Sequence, residues 1–320
     1  MPTGDQLKKL LAAHRDNDEI TFRKTALSII SDETAANRHA LARDLKKALG
    51  EIRQNAALLN FPRDNARGSV KLSDSRVTAD KLILGEQTSP RILRVLEEHK
   101  SQQVLAQFGY SPKRKLLFWG PPGCGKTLTA YFLAHELGLQ IGTVRLSSLI
   151  SSYLGDTAAH LDSVFEMANK TPMVLLLDEV DALGKSRDDS NDVGEVKRVV
   201  NSMLQCMDTF SGNKSILIAA SNHEYMLDPA LWRRFDDVIE FPLPTNSEIE
   251  KDLKRLLSGV PVDGRLSEVV GVLKGFSFAD IEKITIESIK TMILENRAVL
   301  STNDIFLQIN NYKLMPSTRS

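Results

Sequence analysis

The sequence has few cysteines, no excess of charge of either sign and no long apolar run. Its only cysteines, Cys124 and Cys206, cannot build a disulfide framework and do not lie in a metal-binding spacing. Lysine plus arginine number 41, as do aspartate plus glutamate, so no net field favours nucleic acid or an anionic membrane. No apolar stretch is long enough to span a membrane, and the polar amino terminus does not resemble a secretory signal. We therefore expect a cytoplasmic protein that does not act on membranes.

The first part of the chain, residues 1–75, predicts a helical module followed by a linker. Apolar residues recur there at helical spacing, as at Leu41 and Leu45, and three short helices are the simplest interpretation. Phe61 to Thr78 is polar and has neither a helical nor a strand period, which indicates a linker with the domain boundary near Arg76. The module could dock a partner or substrate, or its apolar residues could only pack on one another; we prefer docking.

Residues 76–244 predict an α/β domain with a parallel sheet and helices on both faces. Short apolar runs alternate there with helical patterns, which is typical of parallel strands joined by helices. The predicted strands are Leu116–Trp119, Ile141–Val144, Val174–Leu177, Ile216–Ala220 and Val238–Phe241. Ahead of them, Ser89 and Pro90 predict a helix start, as N-cap and first helical residue.

Residues 245–320 predict a small helical lid that follows the sheet. The apolar period becomes helical again beyond Pro244. Thr245 with Glu248, and Ser277 with Asp280, have the spacing of capping boxes that begin two of its helices.

The segment Gly120 to Thr127, Gly-Pro-Pro-Gly-Cys-Gly-Lys-Thr, fits the pattern of a phosphate-binding loop between a strand and a helix. In such a loop the backbone surrounds the phosphates of a nucleoside triphosphate, Lys126 reaches the β and γ phosphates and Thr127 holds Mg²⁺. The alternative is an ordinary turn before a helix. A redox role for Cys124 is a further, minor alternative. The residues expected to contact the nucleotide are Pro122, Gly123, Cys124, Gly125, Lys126, Thr127 and Leu128.

Two acids, Asp178 and Glu179, end the apolar run that starts at Val174. The carboxyl end of a parallel strand is where such a sheet binds its ligand. We expect Asp178 to orient the ligands of Mg²⁺ and Glu179 to polarise the water that attacks the γ phosphate. The alternative, a solvated turn, is weaker beside a phosphate loop.

Further polar residues lie between the last two predicted strands, Ile216–Ala220 and Val238–Phe241. Asn222 could hydrogen-bond the attacking water or the γ phosphate, or it could be a simple turn residue. Arg233 and Arg234 end a short helix that starts at Pro229. Guanidinium groups stabilise a transferring phosphoryl group when a neighbouring subunit supplies them, although they also suit a helix carboxyl end.

The segments GPPGCGKT, VLLLDEVDAL, AASN and LDPALWRRFDDVIEFPLP resemble, in this order, the AAA family of ATPases. The resemblance covers roughly residues 80 to 300 and identifies Walker A and Walker B motifs. It implies ATP and Mg²⁺ as cofactors and a ring, usually of six subunits, with one nucleotide at each interface. It also implies Glu179 and Asn222 as catalytic residues, with Arg233 and Arg234 acting on the neighbouring subunit's site.

The resemblance also implies a pore that grips a polypeptide. Tyr153 and Leu154, within Ser151 to Asp156, resemble the aromatic loop that lines the central pore of such rings. The alternative is an aromatic residue packed under its own helix. Asn191 to Glu195 stands where the family has its second pore loop.

The sequence departs from the family pattern at several positions. Phe278 stands where the family has a glycine that lets the lid approach the nucleotide, and Leu82 to Gly85 matches the adenine-side motif poorly. Within the family, the chain resembles bacterial single-module ATPases paired with a subtilisin-like serine protease, some of which act in antiviral defence against phage. This narrower resemblance rests on the short helical amino terminus, on Asp192 to Glu195 ahead of Arg198 to Asn201, and on the segment RRFDDVIEFPLP.

The leading hypothesis is an ATP-driven ring that remodels or unfolds protein substrates through its pore. The alternative is a nucleotide-switched scaffold or sensor that assembles with ATP and regulates a partner without threading. Nucleic-acid remodelling is disfavoured, because the chain has no net positive charge and no basic, aromatic strand face.

Overall fold

The computed structural model describes residues 71–73, 82–148, 157–185, 193–212, 214–223 and 229–314, together with Lys8, Thr25, Ile29 and Arg38. The chain divides into two compact units, Met1–Pro62 and Arg63–Ser320. In the first unit, Lys8, Thr25 and Ile29 are helical, Arg38 is in neither a helix nor a strand, and the other residues of Met1–Pro62 lie outside the described residues. The second unit contains the sheet and the lid.

The second unit is built on a six-stranded sheet with the order β1-β3-β4-β5-β2-β6. Neighbouring strands from β3 to β6 are parallel, and β1 pairs antiparallel with β3. The predicted α/β architecture with a parallel sheet is therefore confirmed. The strands are β1 (Lys71–Ser73), β2 (Lys115–Trp119), β3 (Gln140–Arg145), β4 (Met173–Asp178), β5 (Ile216–Ser221) and β6 (Asp237–Glu240).

The strand β1 lies inside the segment that the sequence predicts to be a linker. Leu72 pairs with Gly142 of β3, so the sheet begins before Arg76. The linker interpretation of Phe61 to Thr78 is therefore wrong for these three residues. Three residues are too few for a strand period, and their strand conformation comes from pairing with the edge of β3 rather than from local sequence.

Helices cover both faces of the sheet and enclose two cores. Strands β4 and β5 are buried almost throughout, as expected for central strands covered on both sides. Because side chains alternate along β2, Leu117 lies in the core with the helices Thr157–Lys170 and Val193–Thr209, and Phe118 lies in the core with the helices Thr88–Lys100 and Lys126–Glu136. The helices are α1 (Thr88–Lys100), α2 (Gln102–Gln107), α3 (Lys126–Glu136), α4 (Thr157–Lys170), α5 (Ala182–Lys185), α6 (Val193–Thr209) and α7 (Pro229–Trp232).

The start of α1 differs from the prediction. The helix begins at Thr88 and its N-cap is Gln87, so Ser89 is already helical and Pro90 is not the first helical residue. The Thr88 hydroxyl donates to the carbonyl of Glu240 (2.9 Å), which fixes the helix start against the end of β6. A contact across the fold, which the local cap pattern does not encode, sets this boundary.

The lid has its own apolar core and follows the sheet through Pro244. Both predicted capping boxes are confirmed: Thr245 and Glu248 cap α8, and Ser277 and Asp280 cap α10. No helix within the described ranges is long and apolar enough to cross a membrane. The lid elements are α8 (Asn246–Leu256), β7 (Val262–Asp263), α9 (Leu266–Val272), α10 (Phe278–Leu294), β8 (Leu300–Ser301) and α11 (Thr302–Leu314).

Candidate active site

The predicted phosphate loop connects β2 to α3 and is fixed at both ends. At Gly120 the backbone φ is +139°, and a Cβ atom there would lie 2.2 Å from the carbonyl oxygen of Phe241. At the other end, Gly125 has φ +94° and is the N-cap of α3. Gly120 is required both by its φ and by the close approach of the Phe241 carbonyl, whereas Gly125 is required by its positive φ alone.

Lys126 is folded into the loop. Its side chain is buried, and Nζ donates to the carbonyl oxygens of Gly120 (2.7 Å) and Pro121 (2.9 Å). Burial lowers the pKa of Lys126, and the nearby carboxylates of Asp178 and Asp181 act in the opposite direction. The ammonium group is thus held by neutral carbonyls at the centre of the loop, where phosphate oxygens can replace them as its partners.

Thr127 and Asp178 meet at the carboxyl end of the sheet. Thr127 Oγ1 donates to Asp178 Oδ2 over 3.2 Å, which joins the first turn of α3 to the last residue of β4. A hydroxyl and a carboxylate are the oxygen ligands that Mg²⁺ prefers. These two side chains therefore fit a Mg²⁺ ion bound beside the phosphate loop.

Glu179 is held in an uncommon conformation by its neighbours. Its backbone φ is +58°, and its N–H donates to Asp178 Oδ1 over 3.0 Å. The hydroxyl of Ser147 donates to Glu179 Oε2. Ser147 follows β3 at the same edge of the sheet as Glu179, so the strand-end rule that identified Glu179 also applied to this serine, which the sequence interpretation missed.

Asn222 is positioned by Asp181. The backbone N–H of Asn222 donates to Asp181 Oδ1 (3.2 Å), and the hydroxyl of Ser221 donates to the same oxygen (3.4 Å). Asp181 is buried, so this carboxylate connects the ends of β4 and β5 inside the fold. Among the described residues, the Asn222 side-chain amide has no hydrogen-bond partner, and it is half-buried at the sheet edge.

The two adjacent arginines have different surroundings. Arg234 donates to both carboxylate oxygens of Asp208, from Nε (2.8 Å) and Nη2 (2.9 Å), and from Nη1 to the carbonyl of Ala230 (2.9 Å). This hydrogen bonding lowers the pKa of Asp208 and raises the pKa of Arg234. Arg233 is exposed and has no partner in the described part of the chain. One guanidinium is therefore bound to α6 and the other is free to reach another molecule.

The lid contacts the phosphate loop at Gly123. The Ala279 N–H donates to the carbonyl of Gly123 (3.2 Å), and a Cβ atom on Gly123 would lie 2.5 Å from Ser277 Oγ. Phe278 is half-buried between these two residues. The lid therefore reaches the loop directly, although Phe278 occupies the position where the family has glycine.

Cys124 is a buried thiol within the loop. Burial raises its pKa to about 11, which outweighs the opposite effect of Lys126. A thiol with such a pKa is almost entirely protonated near neutral pH and reacts slowly with oxidants. The minor alternative of a redox sensor at Cys124 therefore has no support in this geometry.

The remaining predicted residues fall at the edges of the site or outside it. Leu128 is partly exposed on α3, and Pro122 is exposed at the outer side of the loop. Leu82, from the poorly matching adenine-side segment, lies near the loop, with Cδ1 3.9 Å from a Cβ built on Gly125. Tyr153 and Leu154 lie outside the described residues, as do Asn191 and Asp192.

Comparison with known proteins gives matches over the sheet and beyond it. The family described as "ATPase family associated with various cellular activities (AAA)" matches residues 116–243. An uncharacterized AAA family ATPase of Sinorhizobium fredii is 40% identical over 95% of this chain and 93% of that protein. A putative 26S proteasome regulatory subunit homolog of Methanocaldococcus jannaschii is 35% identical over 70% of this chain and 61% of its own length. A proteasome-activating nucleotidase of Thermococcus onnurineus is 37% identical over 66% and 54%, respectively.

Proposed function

Since the chain belongs to the AAA family of ATPases and hydrolyses ATP, we propose that it works as a ring, of six subunits, that remodels or unfolds polypeptides by drawing them through a central pore. The observation that supports the ring is Arg233, which is exposed and has no partner within the described residues of its own chain. A free guanidinium beside a helix end is suited to complete the γ-phosphate site of a neighbouring subunit.

We propose the following roles at the nucleotide. The backbone from Pro122 to Leu128 surrounds the phosphates of ATP, and Lys126 exchanges its loop carbonyls for the β and γ phosphates. Thr127 and Asp178 hold Mg²⁺, which neutralises charge on the phosphates when it is bound.

The hydrolytic step is assigned to Glu179 and Asn222. Glu179 polarises the attacking water, and the side-chain amide of Asn222 orients that water or the γ phosphate. The bond from Ser147 occupies one oxygen of Glu179, so the carboxylate must leave that serine before both of its oxygens can serve the water. Arg233 of a neighbouring subunit stabilises the charge that develops on the phosphoryl group.

The proposed polypeptide substrate rests on sequence and on relatives. Tyr153 and Leu154 resemble a pore loop, and several relatives are named as proteasome-activating nucleotidases or proteasome regulatory subunit homologs. The chain spans between half and two thirds of those relatives' length, so their activities are carried over only as a proposal. Residues 1–75 are proposed to dock the substrate or partner, residues 76–244 to bind nucleotide and residues 245–320 to form the lid.

The partner proposal is narrower still. A subtilisin-like serine protease that receives the unfolded chain, in cytoplasmic antiviral defence, is supported by the subfamily resemblance of Arg233 to Pro244, of Asp192 to Asn201 and of the short helical amino terminus. The roles proposed above for the residues of the ATP site do not depend on this partner.

A subunit-mixing experiment tests the ring. Arg233→Ala retains an intact phosphate loop, and Lys126→Ala retains an intact Arg233, so each protein alone should hydrolyse ATP poorly. Mixed rings contain interfaces that combine the intact halves, and we expect hydrolysis to reappear on mixing. Normal assembly of both variants with no recovery on mixing would contradict action across the subunit interface.

A second experiment tests threading. The Glu179→Gln protein, held with ATP in extract of its native cells, should retain a protein substrate, and Tyr153→Ala in the same background should lose it. If Glu179→Gln alone preserves the biological effect, or if its partners are indifferent to Tyr153, the nucleotide-switched scaffold becomes the better explanation. Recovery of nucleic acid would instead favour a nucleic-acid remodeller.

A further inference from the structure

A hydrogen bond connects the last helix of the lid to the start of α10. The hydroxyl of Tyr312, on α11, donates to Asp280 Oδ1. The other oxygen of Asp280, Oδ2, accepts the backbone N–H of Ser277 (3.0 Å) and the Ser277 hydroxyl (2.8 Å). An ionised carboxylate can accept all three bonds, so one side chain joins α11 to the capping box of α10.

The same capping box forms the contact between the lid and the phosphate loop. A Cβ atom built on Gly123 would lie 2.5 Å from Ser277 Oγ and 2.9 Å from Ala279 Cβ, so the box packs directly against this glycine. The Ala279 N–H also donates to the Gly123 carbonyl. Tyr312, Asp280, Ser277 and Gly123 thus form one continuous series of contacts from α11 to the loop. The position of the first turn of α10 against the loop therefore depends on how Asp280 is held.

The ring of Tyr312 is itself held in place. It lies 5.9 Å, centroid to centroid, from the ring of the buried Phe276, and Lys283 Nζ lies 5.4 Å from its centroid. Phe276 immediately precedes the N-cap Ser277. Packing and a cation–π contact therefore direct the hydroxyl towards Asp280, even though Tyr312 is partly exposed.

We propose that Tyr312 is a positioning residue for the nucleotide site, which sets the first turn of α10 against the phosphate loop through Asp280 and so strengthens nucleotide binding. Tyr312 does not touch the reacting atoms. Glu179 and Asn222, which we assign to the hydrolytic step, directly follow β4 and β5 and are not members of this series of contacts. Its loss should therefore weaken binding while leaving the hydrolytic step largely intact. The proposal rests on the ATP site and not on threading.

The test compares Tyr312→Phe with the full-length wild-type chain. Phenylalanine keeps the ring and removes only the hydroxyl, so the lid should still fold. We expect the KM for ATP and the Kd for ADP each to rise about three- to tenfold, the range of one ordinary hydrogen bond, with kcat changed less than twofold. The matched control is Tyr110→Phe, which removes the hydroxyl of a tyrosine 69% exposed on the loop after α2.

The outcomes separate a positioning role from a structural one. Unchanged KM and Kd in Tyr312→Phe, with or without a lower melting temperature, would overturn the proposal, as would a fall in kcat with KM unchanged. The double variant Tyr312→Phe with Asp280→Asn gives a second measure, because its Kd for ADP should be close to that of Asp280→Asn alone. If the two substitutions instead raise the Kd for ADP by independent factors that multiply, Tyr312 does not act through Asp280 and the proposal is contradicted. If the wild-type ring fails to thread proteins but Tyr312→Phe still weakens ADP binding, this inference stands and the threading proposal falls.

Discussion

Arg234 forms a two-point ion pair with Asp208, which fixes the turn after α7 to the carboxyl-terminal part of α6. Both side chains are partly exposed, so the pair contributes geometry more than stability. Since α6 begins at Val193, within the predicted second pore loop, the pair joins that helix to the turn that presents Arg233. Arg234 therefore fixes the turn, and Arg233 is available to contact another subunit.

Because the two arginines have different surroundings, we expect their replacement to lower ATP hydrolysis by different factors. Arg233→Ala should lower kcat for ATP by roughly 1000-fold, the scale of a missing arginine finger. Arg234→Ala should lower kcat by roughly ten- to a hundredfold, as expected when Arg233 is still present but is displaced from its position. Steady-state kinetics at saturating ATP measure both values.

Asp208→Ala is the matched control for this pair. If Arg234 acts through Asp208, the Asp208→Ala defect should equal that of Arg234→Ala, and the double variant should be no worse than either. A larger loss in Arg234→Ala than in Arg233→Ala would show that Arg234 leaves Asp208 to act on the phosphate.

Ser147→Ala should raise basal ATP hydrolysis. The serine hydroxyl occupies Glu179 Oε2, and its removal frees the carboxylate for the attacking water at a gain of about 1 kcal/mol, or roughly fivefold in kcat. Ser163→Ala is a suitable control, because that hydroxyl donates to the carbonyl of Ala159 in its own helix and has no other partner in the described ranges. A lower rate in Ser147→Ala would mean that the serine orients Glu179 for catalysis instead of restraining it.

Gly120→Ala should destabilise the protein severely. The added Cβ would lie 2.2 Å from the Phe241 carbonyl oxygen, and no flexible side chain can move aside to relieve that contact. We expect a loss of at least about 3 kcal/mol in the free energy of unfolding. Thermal or urea unfolding measures the change.

Gly138→Ala is the comparison for Gly120→Ala. Gly138 also has a positive φ, +63°, but no atom lies within 4 Å of its built Cβ. That substitution should therefore cost only the backbone strain, about 1–2 kcal/mol. Equal losses in the two variants would show that the close approach to Phe241 contributes nothing.

Asp252 predicts an unusual pH dependence of lid stability. Its carboxylate is buried, Oδ2 has no hydrogen-bond partner among the described residues, and burial raises the pKa of Asp252 in spite of Arg255, with Glu282 adding to the increase. A raised carboxyl pKa means that the folded state binds the proton more tightly than the unfolded state. Ionised Asp252 therefore destabilises the folded protein, and this effect is complete above the pKa that the group has in the folded state. It is relieved as the pH falls through that pKa towards about 3.9, the pKa of aspartate in the unfolded chain.

Asp252→Asn isolates this group, because asparagine does not titrate. The wild type should gain melting temperature relative to Asp252→Asn when the pH is lowered from about 7.5 to about 4.5. A difference between the two proteins that stays constant over this range, or that moves the other way, would contradict a raised pKa for Asp252.

Much of the site could be predicted because its residues are local in sequence. The phosphate loop, Asp178 with Glu179, and Asn222 each follow a strand directly, and parallel strands bring their carboxyl ends to one edge. The two lid capping boxes were predictable for the same reason, since each is set by four consecutive residues.

The residues that sequence interpretation missed act across the fold. Asp208 lies 26 positions before Arg234, and Ser147 lies 32 positions before Glu179, so no motif spacing relates them. The start of α1 was misplaced for a similar reason, because Thr88 is fixed by Glu240. Pairings of this kind depend on the packed structure, and local propensity does not encode them.

The short strand β1 has a consequence for the behaviour of the protein during folding. By pairing antiparallel with β3, it covers the outer edge of that strand with Lys71, Leu72 and Ser73. An uncovered strand edge is a template for pairing between chains and so for aggregation. These three residues therefore prevent the edge of β3 from pairing with another chain. Trimming the chain past Ser73 would thus expose a surface that favours insoluble association even where every group around the nucleotide is intact.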